Sequence, residues 1–176
     1  MSRAETRLKV FAAAIDLIAE QGYNATTVEA IAERAGVAKG TVFYNFGSKE
    51  ALFAQLLDYG IGLLATEMAA AENLEGAVMA QLRFFADYGP FARVLLGQMW
   101  QSAWQEAIAR LRAEAIGVYV RELRDKLPEG QVETAATGLF GMVLTVSIER
   151  SVLHPDRPIE QVHAMVLELL RGRITS

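Results

Sequence analysis

TVEAIAERAGVAKGTVFYNFGSKEALF, residues 27–53, is the stretch on which the fold turns. Thr27 offers a hydroxyl at an N-cap position, and Val28, Ile31, Ala32 and Ala35 follow at the spacing of one helical stripe. Ala30 stands where a glutamate would complete a capping box. Gly36 supplies the residue suited to positive φ that closes a helix, and Val37 pins the turn to the core. A third helix is expected over 39–45, and Ser48-Lys49-Glu50 opens a fourth, with Leu52, Phe53, Leu56 and Leu57 apolar. Two short helices enclosing a tight glycine turn have the grammar of a helix–turn–helix, whose second helix can enter a DNA major groove.

The chemistry of the third helix fits that geometry. Its first turn, Lys39-Gly40-Thr41, presents a cation, a bare backbone and a hydroxyl where base edges would lie. Tyr44 follows one turn later, and the Thr27 hydroxyl stands at the start of the second helix, both placed for phosphate. Phe43 and Tyr44 are neighbours on one helix and cannot share one narrow stripe, so at least one is expected at the surface. Lys49 at a helix N-terminus opposes the macrodipole, which a bound phosphate would explain.

Outward from this stretch, the bulk composition narrows the class. Apolar residues make up 52% of the 176 and charged residues 22%, as in a folded globular chain. Cysteine is absent, which removes disulfides, thiolate metal sites and thiol catalysis. The N-terminus MSRAETRLKVF lacks the apolar run of a signal peptide, and the apolar stretch 138–148 is short for a membrane span, so a cytoplasmic protein without membrane contact is expected. Net charge is −4, at first sight wrong for a nucleic-acid partner. Residues 1–50, however, carry six basic and six acidic side chains, and no acid falls between Arg34 and Lys49. A small positive window on an acidic body is what a single phosphate-facing surface requires.

Helical periodicity extends through nearly the whole chain. Leu8, Phe11, Ile15 and Ile18 mark a first helix over 3–21, stopped by Gly22. Further helices are expected near 74–88, 91–101, 103–126, 131–153 and 159–172, separated at Asn73, Gly89-Pro90, Leu127-Pro128 and His154-Pro155. No alternating strand pattern occurs, so the expected class is all-α.

The run Gly36-Val37-Ala38-Lys39-Gly40-Thr41-Val42-Phe43-Tyr44-Asn45-Phe46-Gly47-Ser48-Lys49-Glu50-Ala51-Leu52 resembles the signature of the TetR (tetracycline-repressor-like) transcriptional regulators. The likeness continues upstream through Ala13-Ala14, Leu17, Gly22-Tyr23 and Thr26-Thr27. It implies an N-terminal helix–turn–helix DNA-binding domain over 1–49 and a helical effector-binding and dimerisation domain over 50–176. It further implies that Thr27, Lys39, Gly40, Thr41, Phe43, Tyr44 and Lys49 face DNA, with Val42 and Phe46 in the core. Three positions depart from the pattern: Ala38 replaces the usual capping serine, Phe43 a frequent tyrosine, and Asn45 a common histidine.

The body carries no nucleophile elbow, phosphate loop or dinucleotide fingerprint, and His154 and His163 have no carboxylate at ligand spacing, so neither enzyme, metal site nor cofactor is expected. Rings and one thioether cluster around the Gly89-Pro90 break: Phe84, Phe85, Tyr88, Phe91, Met99, Trp100 and Trp104, with Tyr119 farther on. Such rings either fill a core or enclose an apolar pocket, and the resemblance favours a pocket for a small effector. The helix near 131–153 is apolar almost all round and must be buried on all sides, which points to a second subunit. With the final helix it gives an expected homodimer interface of Phe140, Leu144, Ile148, Val162, Met165, Val166 and Leu169. The implied function is a ligand-responsive regulator of transcription, a repressor released from a palindromic double-stranded operator by a small, largely apolar effector. Its rivals are an activator of the same fold and an all-α small-molecule-binding protein without a DNA function.

Overall fold

The computed structural model describes residues 2–98 and 104–174, and no strand occurs among them. Helix α1 (Arg3–Gln21) opens with a full capping box, Ser2 accepting from the Glu5 amide while Glu5 reaches back to Ser2. It stops at Gly22, whose φ of 84° few side chains tolerate. Helix α2 (Val28–Ala35) starts on Thr27, whose Oγ1 accepts from the Ala30 amide at 3.1 Å. It ends at the left-handed Gly36, where the Val37 amide returns to the Ala32 carbonyl at 3.0 Å. Helix α3 (Lys39–Phe46) and helix α4 (Lys49–Ala69) complete the N-terminal half, α3 running one residue farther than its pattern suggested.

Helix α5 (Leu74–Asp87) lies between α4 and α9 (Glu129–Leu153), while α6 (Gly89–Gln98) packs against both α1 and α9. The single helix expected over 103–126 is three pieces. Helix α7 (Gln105–Leu111) passes through a π-helical turn (Arg112–Ile116) into α8 (Gly117–Leu123). Helix α10 (Ile159–Ile174) closes the body against α5. One apolar core runs unbroken from Val10 on α1 to Val166 on α10, so head and body share packing. Within it, the Tyr119 hydroxyl donates to Gln81 Oε1 at 2.6 Å, and Gln81 Nε2 donates to the Phe140 carbonyl at 3.1 Å. Burial pushes the Tyr119 hydroxyl far above its ordinary range, so it stays a donor at any working pH.

At Gly60, in the middle of α4, a methyl would fall inside the Phe91 ring, so this glycine serves close helix packing. Helix α9 is 25 residues long and apolar enough, by length and composition, to cross a membrane. In this fold it packs against α5, α6 and α8.

Candidate nucleic-acid interface and body cleft

The sequence of α3 divides its surface cleanly. Val42 and Phe46 point inward and are buried, whereas Phe43 is 42% and Tyr44 79% exposed. Lys39, Gly40 and the Thr27 cap are exposed, and Thr41 is half-buried. Gly40 has no atom within 4 Å of where a Cβ would sit, and its φ is ordinary, so nothing inside the protein requires glycine there. Ala38 gives α3 no side-chain cap, and within the first turn the Thr41 amide bonds the Ala38 carbonyl at 2.9 Å. Thr27 accepts from Ala30 through its oxygen and keeps its own proton to donate.

Three electrostatic facts lie beyond the reach of the sequence. The acid-free window is met by acids from neighbouring elements: Lys39 pairs with Glu29 of α2, and Arg34 with Glu20 of α1 at 3.1 Å. The hydrogen bonds from Lys39 and Arg34 hold the Glu29 and Glu20 carboxyls below the ordinary range. A phosphate reaching Lys39 must therefore compete with Glu29. Lys49, expected to meet phosphate, turns instead toward the protein: its ammonium donates to the Tyr23 carbonyl at 2.7 Å and the Thr26 carbonyl at 2.8 Å. It also lies 4.2 Å from the centre of the Tyr23 ring. Carbonyls at the end of the α1–α2 loop hold it better than the positive end of α4, which also explains how a lysine is tolerated beside Ser48. Burial and the Glu50 carboxylate push the Tyr23 hydroxyl up to about 12.

Arg3 was missed. Its guanidinium lies 5.8 Å from the Tyr44 ring and donates to Asn45 Oδ1 at 3.3 Å, while Asn45 Nδ2 holds the Thr41 carbonyl at 2.8 Å. Asn45, a departure from the pattern, thus ties α3 to the start of α1 and brings an additional cation beside the outward face. A separation of 42 residues left no local signal for it.

The seven rings and one thioether expected to form one pocket part company. Phe84, Tyr88 and Phe91 line a cleft of about 430 Å³, with Tyr88 4.7 Å and Phe91 6.0 Å from Phe84 between ring centres. Phe85 and Tyr119 are instead closed into the core beside Phe140 and Gln81. Trp104 stacks edge-on against Phe53 at 4.6 Å and Tyr23 at 5.3 Å, and its Nε1 has no hydrogen-bond partner among the described residues. Met99 and Trp100 lie outside the described residues. One wall of the cleft comes from Leu8, Phe11, Ile15 and Asp16 of α1, with Tyr59 and Leu63 of α4 beside them. Leu8, expected in the buried stripe of α1, is half exposed because it faces this opening.

The expected dimer residues also separate. Phe140, Leu144, Val162 and Val166 are buried within the chain's own core, and Ile148 is half-buried. Met165 and Leu169 on α10 and Val152 and Leu153 on α9 are exposed. Along α9 the outward stripe is Thr134, Gly138 and Thr145, small residues, because the bulky ones are consumed by α5 and α8.

Comparison with known proteins bears on both ends of the chain. Residues 10–56 match the model of "Bacterial regulatory proteins, tetR family". Over 185 aligned residues the chain is 26% identical to the uncharacterized HTH-type transcriptional regulator YerO of Bacillus subtilis (strain 168), covering 94% of this chain but only 63% of that one. It is 27% identical to the HTH-type transcriptional activator FasR of Mycolicibacterium smegmatis, covering 94% of this chain and 80% of that protein. Among solved structures, the fatty acid degradation regulator FadR from Bacillus halodurans superposes with a TM-score of 0.79 at 22% identity, over 95% of both chains.

Proposed function

We propose, for a chain that belongs to the tetR family of bacterial regulatory proteins, that two copies read an operator and release it when a small, largely apolar effector binds the body. The observation that carries the DNA-binding part is the division of α3: Val42 and Phe46 anchor it, while Lys39, Gly40, Thr41, Phe43 and Tyr44 are left on its accessible side. Gly40 lets the helix backbone approach base edges, Lys39 supplies a guanine or phosphate contact, and the Tyr44 and Thr27 hydroxyls supply phosphate contacts. Lys49 acts on DNA through the loop it holds, with its remaining proton available to a phosphate. Two heads related by a two-fold axis would meet successive major grooves about 34–36 Å apart. Their pairing is assigned to α9 and α10, through Met165, Leu169, Val152, Leu153 and the small stripe of α9. Such a protein works in the cytoplasm, with its DNA.

Repression is the simplest mode, since a dimer seated on a promoter excludes polymerase; the operator's position relative to that promoter decides the sign. An effector can release DNA only by binding better to a dimer whose heads are mis-spaced. Helix α4, which begins at the head and is packed into the body, transmits the change. Selection of bound DNA from a random pool should return a near-palindrome with half-sites one helical turn or a multiple apart. The Lys39→Ala/Tyr44→Ala double variant should lose at least ten-fold in affinity for that site while remaining dimeric by sedimentation. Unchanged binding would reject the assignment of α3.

A further inference from the structure

The cleft between α1 and the body has an electrostatic character of its own. Its volume, about 430 Å³, falls within the range of small-molecule sites. Rings of Phe11, Tyr59, Phe84, Tyr88 and Phe91 line it, and among the described residues its only charged side chains are two carboxylates, Asp16 and Asp87. Neither carboxylate makes an ion pair or a side-chain hydrogen bond among the described residues. Arg34 acts on Asp16 from α2, but its guanidinium is bonded to Glu20. Glu67 stands near Asp87, and burial together with the Asp87 charge raises its carboxyl above the ordinary range. The neighbouring groove of about 990 Å³ differs: there Arg110 is bound by Asp58 and Glu114, and Arg7, over the Phe11 ring, adds a further cation.

We infer that this cleft binds a monovalent organic cation with an aromatic or branched apolar body. Two unpaired carboxylates beside an aromatic cleft, Asp16 half-buried and Asp87 exposed, favour a positive charge, and aromatic faces add the attraction of their quadrupoles. Delocalised or alkylated cations fit best because they lose little hydration on entry, whereas a phosphorylated or carboxylate ligand meets the two acids without a compensating cation. Since α1 belongs to the DNA-reading unit and α4, α5 and α6 to the body, an occupant touches both sides of the joint on which operator affinity depends. That regulatory consequence rests on the function proposed above; the site itself does not.

Two ions of nearly equal shape and opposite charge test the inference on the full-length protein: tetraphenylphosphonium and tetraphenylborate, titrated by calorimetry. Tetraphenylphosphonium should bind at least ten-fold more tightly than tetraphenylborate. Asp16→Asn/Asp87→Asn should weaken the cation at least ten-fold and erase the preference, with an unchanged thermal midpoint as the folding control. Equal or tighter binding of tetraphenylborate, or an unaltered cation affinity in the double variant, overturns the site. The same titration repeated with the selected operator should show at least a ten-fold change in DNA affinity on adding the cation. A protein that binds the cation as described but no DNA sequence would support the cleft and overturn the transcriptional reading.

Discussion

Gly40 has open space where a side chain would stand and an ordinary helical backbone, so within the protein it is only a cost. Replacing it with alanine should stabilise the fold by about 0.5–1 kcal/mol, the usual difference between the two in a helix. If α3 enters a groove, the added methyl should at the same time lower operator affinity, and opposite movement of the urea midpoint and of DNA binding is the signature to look for. Lys49 makes the contrary case. Its ammonium holds two loop carbonyls, so Lys49→Met should cost about 1–3 kcal/mol in urea unfolding, within the range for hydrogen bonds to charged groups. A lysine held only by phosphate would leave stability unmoved. Thr27 was legible in sequence as a cap because capping is local; Lys49 was not, because its partners lie 23 and 26 residues away.

At the scale of elements, α4 ties the head to the body. It is one continuous helix from Lys49 to Ala69, and Gly60 seats the Phe91 ring of α6 directly on its backbone. Gly60→Ala should therefore destabilise by about 1–3 kcal/mol, as overpacking of a full core does, and circular-dichroism melts would register it. Full stability would mean the helices can separate at that point. Helix α9 shows why composition misled about its faces. Phe140 and Leu144 looked available to a partner because the whole helix is apolar, yet α5 and α8 absorb those side chains. Amphipathic pattern identifies a buried face only when a polar one contrasts with it, and α9 lacks that contrast.

For the whole molecule, the outward small stripe of α9 and the exposed Met165 and Leu169 of α10 are the surface on which two copies would meet. Gly138 has nothing within 4 Å of a Cβ position inside its own subunit, so Gly138→Leu should leave the subunit folded but block the approach of a partner backbone. Sedimentation should show monomers at micromolar concentration together with a loss of operator binding; an intact dimer would place the interface elsewhere. The all-α class, the turn at Gly36 and the inward anchors Val42 and Phe46 could be read along the chain, because caps, glycine turns and helical periodicity are set by residues a few positions apart. The ion pairs that neutralise Lys39 and Arg34, the approach of Arg3 to Tyr44, and a cleft walled by α1 on one side and α5 and α6 on the other could not. Each joins side chains that are distant in the chain, and their meeting depends on how the helices pack, since charge and cavity belong to the space between elements.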